Sequence, residues 1–212
     1  PWTWAPFFLL AGVLAGYLAR SSVRLPRRAA WVPAAIGAGV IVAAVVGRGH
    51  PLAAWQANLG AVAQARADAV SAGRGGDGAA DRAVAAARFT RALAIDPDDG
   101  PALRRAGMLA IDEARHADAL NLLGRAWAVE PGHPPTRKAY GLAAVWSGDI
   151  ALAADLLGPV PGMADELATW SRFRREQGET GLAIAAARTA VALAPAQPEL
   201  AQWLRELDPA AR

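Results

Sequence analysis

Arg104 and Lys138 stand 34 residues apart at equivalent points of a repeating helical pattern, and Arg172 lies on the corresponding face of the last hairpin, one turn further along. A row of cations on neighbouring helices suits an anionic partner: a peptide carboxylate, an acidic segment, or a lipid or sugar phosphate. The other residue types able to do chemistry are scattered. His50, His116 and His133 are far apart in sequence and each adjoins a turn or helix end, so they read as loop or cap residues rather than metal ligands. Asp112 with Glu113, and Asp165 with Glu166, are adjacent pairs whose carboxylates diverge around a helix instead of facing each other across a cleft. The chain has no cysteine, which removes disulfides, thiolate zinc sites and a thiol nucleophile. No phosphate-binding loop, dinucleotide fingerprint, HExxH or GxSxG pattern occurs. The expectation is a non-enzymatic binding protein with no catalytic, cofactor or metal residues.

The elements that hold the cations are helical hairpins. Phe89, Ala92 and Pro97 recur as Leu123, Ala126 and Pro131 at an offset of 34, Gly107 recurs as Gly141, and Ala119 as Ala153. These are signature positions of tetratricopeptide repeats, which residues 80–212 resemble. Gly107 and Ala119 let two antiparallel helices approach closely, and Pro97 and Pro131 stop one hairpin before the next begins. A last hairpin shows Leu167, Trp170, Ala183, Ala190 and Pro195, but its Pro follows Pro131 by 64 rather than 68 residues. The third repeat is therefore four residues short, truncated by Gly158, Pro159, Val160, Pro161 and Gly162. Leu200, Trp203, Leu204 and Leu207 predict a terminal capping helix over residues 198–207.

Upstream the pattern changes. Residues 2–19 and 29–47 are uncharged and apolar, long enough at about 1.5 Å per residue to reach across most of a roughly 30 Å hydrocarbon layer. They predict two transmembrane helices in a hairpin over residues 1–50, with Gly12 and Gly16 as a small-residue packing face. The nine-residue loop between them carries Arg20, Arg24, Arg27 and Arg28 and no acid, which places it in the cytoplasm and the repeats outside it. Leu52, Trp55, Leu59, Val62 and Ala63 then recur at helical spacing and predict a juxtamembrane helix from about Pro51 to Ala72, followed by a Gly-rich linker up to residue 79. Pro1 is not Met and no basic n-region precedes the first apolar stretch, so the expectation is a longer native chain without a signal peptide here.

Over 212 residues the net charge is +3 and the pI about 10.1, nearly all of it Arg, with Lys138 the only lysine. These charges are interleaved with Asp and Glu along helices, a pattern that argues against nucleic acid. Apolar residues make up 54% and mean hydropathy is +0.18. The abundant Ala is the strongest helix former, so the fold class is all-α.

The run Pro51, Leu52, Ala53, Ala54, Trp55, Gln56, Ala57, Asn58, Leu59, Gly60, Ala61, Val62, Ala63, Gln64, Ala65, Arg66 behind an apolar segment, followed by the repeats and the Tyr140, Gly141, Trp146, Gly148 hairpin, resembles the C-terminal part of bacterial O-antigen ligase or polymerase-like proteins. That family transfers lipid-linked glycans with basic and His residues on a large extracytoplasmic loop; this chain has no such loop, and no catalytic residue carries over. Three functions follow as expectations. The first is a scaffold, anchored in the bacterial inner membrane, that binds protein partners, other membrane subunits or the bilayer itself at the extracytoplasmic face. The second is the accessory end of a glycan ligase or polymerase. The third is a structural subunit of a larger electron-transfer or photosynthetic membrane complex. The mass of the native polypeptide separates the first two.

Overall fold

The computed structural model describes residues 50–73 and 76–208. Among them are nine helices in sequence: α1 Pro51–Ala72, α2 Ala79–Ile95, α3 Gly100–Asp112, α4 His116–Val129, α5 Pro134–Ser147, α6 Ile150–Leu157, α7 Met163–Glu176, α8 Thr180–Leu193 and α9 Pro198–Leu207. Proline begins α1 and α9 and stands within the first two positions of α3 and α5, where its missing N–H is one the helix leaves unpaired in any case. Asp99 and Asp149 cap α3 and α6 by accepting backbone N–H bonds from Ala102 and Leu152; His133 does the same for α5 through Thr136.

Consecutive helices pair as antiparallel hairpins, α1 with α2, α3 with α4, α5 with α6 and α7 with α8. The first helices α1, α3 and α5 also touch in succession, so the hairpins stack in two layers as tetratricopeptide-like repeats do. Each of the first three hairpins closes on a glycine facing a large side chain: Gly60 on Phe89, Gly107 on Leu123, Gly141 on Leu157. A Cβ built there would lie 2.6, 2.5 and 2.5 Å from its neighbour. The core is small and layered. Ala57, Ala92 and Ala102 form one cluster, Ala63, Ala85, Phe89 and Leu109 the next, and Ala110, Ala119, Leu123, Ala139 and Ala143 the one after. Each cluster joins one hairpin to the following one. Gly78, at φ 63°, brings the start of α2 against the Ala67 backbone of α1.

The expectation of a transmembrane hairpin is corrected. Among the described residues no helix is long and apolar enough to cross a membrane. The longest, α1, buries Ala53, Ala57, Gly60, Ala63, Gln64 and Ala67 in the hairpin and also carries Arg66 and Asp68. Residues 2–19 and 29–47 lie outside the described residues, and Gly12 and Gly16 with them. Among the described residues the fold is therefore an all-α helical stack that does not support two transmembrane helices, and the multi-pass inner-membrane location with extracytoplasmic repeats is withdrawn with them.

The third repeat is short as its proline spacing implies: α6 has 8 residues against 14 in α4, and Gly158 and Gly162 bracket the turn that ends it. Across the next junction the packing changes. The second helix α8 lies against both α5 and α6, where in the earlier junction it is the first helix α5 that packs on α4. That change decides which side chains of α7 stay uncovered.

Candidate functional site

The three cations fall on α3, α5 and α7, and each reaches past the second helix of its own hairpin. The Arg104 guanidinium lies 3.4 Å from His133 Nδ1 and 4.0 Å from Glu130, in the turn that leads into α5. Lys138 Nζ donates to Glu166 Oε2 of α7 at 2.8 Å. The Arg172 guanidinium sits 5.7 Å from the centre of the Trp203 ring of α9. Half-burial pulls the Arg104 pKa down from its ordinary value, Glu130 opposes that and Arg105 adds to it; the group stays charged near neutral pH. The row thus links successive hairpins through ion pairs and a stacked ring. Lys138 and Glu166 are 40% and 37% exposed, and such a pair contributes about 0–1 kcal/mol, so an incoming carboxylate can take the place of Glu166.

Beside this row lies an aromatic cluster that the sequence reading did not assemble. Trp146, near the end of α5, meets Trp170 of α7 edge to face at 6.5 Å, and Trp170 meets Phe173 in the same way at 5.8 Å. Arg174 lies 5.1 Å over the Trp146 ring and pairs with Glu179 at 2.6 Å. Trp146 is buried, yet Trp170 is 39% and Phe173 46% exposed. Phe173 stands at the register of Leu109 and Ala143, both fully enclosed in the repeats before it. Because α8 carries the packing across this junction, the corresponding side of α7 is left open. The available signal was Phe173 at 30 residues beyond Ala143, a spacing displaced by the four missing residues of the third repeat.

The histidines occupy three separate helix starts. His50 precedes α1 and is exposed; His133 caps α5; His116 begins α4 and its backbone carbonyl accepts from Ser147 Oγ. Burial lowers the His116 pKa, the Arg174 charge lowers it further, and Glu179 acts in the opposite sense. His116 Nδ1 and Arg174 Nε are both buried without a hydrogen-bond partner among the described residues. The Thr136 hydroxyl meets His133 Nδ1 at 2.9 Å, but Thr136 is 1% exposed and both groups serve the α5 N-terminus. Of the adjacent acids, Glu166 holds Lys138, Glu113 pairs with Arg115 at 2.6 Å, and Asp112 is half-buried with its pKa raised first by burial and then by Asp68. No group of three metal-ligating side chains occurs among the described residues.

Two open clefts of about 240 Å³ stand out among the described residues. One follows the truncated α6 and is lined by Leu157, Val160, Met163 and Leu193; the other lies between α7 and α9, with Arg172, Glu199, Trp203 and Glu206 around it. The chemistry on offer is that of binding: aromatic edges, exchangeable ion pairs and stacked guanidinium groups.

No protein-family profile matches this sequence, and no curated protein matches it. Among solved structures, the crystal structure of MamA is similar, at 18% identity over 62% of this chain and 80% of that one, with a TM-score of 0.40. The O-antigen ligase resemblance is not shown by these comparisons. The tetratricopeptide-like architecture rests on the paired helices, the 34-residue register and the glycine contacts described above.

Proposed function

We propose that this chain is a tetratricopeptide-like scaffold that binds a protein segment along its first helices. An apolar anchor of that segment rests on Trp170 and Phe173, and an acidic residue beside it replaces Glu166 on Lys138. The observation that carries this reading is Phe173, a large apolar side chain 46% exposed at a register where the inner repeats bury Leu109 and Ala143. Aromatic side chains supply much contact area for little lost freedom and recur where binding energy is concentrated. Arg104, Lys138 and Arg172 then set the sign of the partner's charge and its salt dependence.

The test uses a fluorescent acidic peptide with one central aromatic residue, titrated with the full chain at low and physiological salt. Saturable binding that weakens with salt, and that falls roughly tenfold or more in Phe173→Ala and in Lys138→Glu, is the expected result. Binding that ignores both substitutions, while far-ultraviolet circular dichroism shows both variants folded, overturns the assignment.

A further inference from the structure

Among the described residues, a second unpartnered face lies at the other end of the stack, on α1. Its small residues Ala53, Ala57, Gly60, Ala63 and Ala67 are buried in the hairpin, while its large ones point away: Leu52 is 56%, Trp55 61% and Val62 51% exposed, with Leu59 partly so. Register explains why this is unusual. Taking Gly60 as the equivalent of Gly107 and Gly141, Trp55 corresponds to Ala102 and Thr136, and Val62 to Leu109 and Ala143. In α3 the same positions pack on the preceding repeat, Ala102 against Ala57 and Ala92, Leu109 against Ala63, Ala85 and Phe89. In α5, Ala143 packs on Ala110, Ala119 and Leu123 of the hairpin before. On α1 the positions that join one repeat to the previous one are occupied by Trp and Val and are open.

We infer that a second copy of this chain covers this face, α1 packing antiparallel on α1 about a two-fold axis. Three observations select that occupant. Leu52, Trp55, Leu59 and Val62 follow one another at spacings of three, four and three, the seam of two paired helices rather than the broader stripe of a helix lying on a core. The stretch Pro51 to Ala65 contains no charged residue, so two identical faces meet without like-charge opposition, and a partner selected by charge would find nothing to select. The helix has 22 residues where α3 has 13 and α5 has 14, and its uncharged stretch from Pro51 to Ala65 gives a seam of about 22 Å. A two-fold contact of this kind uses one patch twice and closes on itself. It leaves the α5–α7 surface free, so each protomer of the dimer presents its own aromatic cluster.

The absence of cysteine makes the test direct. In the full chain, Leu59→Cys, Val62→Cys and, as a control on the outer side of α2, Ala87→Cys are treated with a short bismaleimide, and the molar mass of the unmodified protein is measured by light scattering across a dilution series. The expected result is a dimer by mass, with covalent dimer formed at positions 59 and 62 and not at 87. Val62→Asp is expected to raise the dimer dissociation constant roughly tenfold or more with helicity unchanged. A monomeric mass at all concentrations overturns the inference, whether or not the thiols are protected from reagent. So does a dimer that persists in Val62→Asp or links no faster at 59 and 62 than at 87. Should Val62→Asp fail to fold, the cross-linking pattern and the mass decide alone.

Discussion

His116 starts α4, and burial together with the Arg174 charge makes the protonated imidazole unfavourable in the folded chain. In the unfolded chain the same side chain titrates near 6.5. Above that value the two states bind the same number of protons and His116 contributes no pH dependence. As pH falls below it, the unfolded state takes up the proton first, and stability declines until the folded pKa is passed. Urea midpoints measured between pH 7.5 and 5 should therefore fall more steeply for the native chain than for His116→Asn. Equal slopes would mean that the ring is protonated as readily folded as unfolded. Because Arg174, whose charge acts on His116, lies over the Trp146 ring and pairs with Glu179, the same titration alters the charge beside the aromatic cluster.

At the scale of the hairpin, glycine sets how closely helices approach. A methyl group at Gly141 would come within 2.5 Å of the Leu157 side chain, which is fully buried and has little room to move. Overpacking of this kind costs about 1–3 kcal/mol, against a helix-propensity gain of at most about 1 kcal/mol for replacing glycine. Gly181, early in α8, has nothing within 4 Å of the same built atom. Gly141→Ala should lower the urea midpoint and Gly181→Ala should leave it unchanged or raise it; the reverse order would show that the close approach does not govern stability. The paired helices from Phe89 to Leu157 were legible because Gly107 and Gly141, Ala119 and Ala153, Leu123 and Phe89 repeat at 34. The partnership of α1 with α2 was not, since 29 residues separate Gly60 from Phe89 where 16 separate Gly107 from Leu123, and no fixed period bridges that insertion. The two halves of the candidate site differed in the same way. Arg104 and Lys138 share a period and were found; Trp170 and Phe173 sit beyond the four-residue deletion, and their exposure depends on α8 sharing with α7 the packing on α5, a choice made by tertiary contacts.

At the scale of the whole stack, each hairpin is held by its neighbours, so a local loss should stay local. The last hairpin shows how. Trp203 of α9 donates its indole N–H to Ser171 Oγ at 2.9 Å, and Ser171 donates in turn to the Ala183 carbonyl at 2.8 Å, tying α9 to α7 and α7 to α8 through one buried hydroxyl. Arg172 and Arg175 each place a guanidinium group 5.7 Å from the centre of the Trp203 ring. Ser171 occupies the fourth hairpin's counterpart of Gly60, Gly107 and Gly141, so a hydrogen bond takes the place that close packing fills elsewhere. Trp203→Ala removes the ring, leaves Ser171 with one partner fewer and uncovers Leu207 and Ala187. Replacing a buried aromatic by alanine costs about 3–5 kcal/mol, and for a partly exposed ring about 2–3 kcal/mol is expected. In a stack coupled through nearest neighbours that loss should appear in native-state hydrogen exchange as faster opening of α7, α8 and α9, with α1 to α4 unchanged. Uniform acceleration from α1 to α9 would instead mean that the array opens as one cooperative unit, and that α9 stabilises all of it.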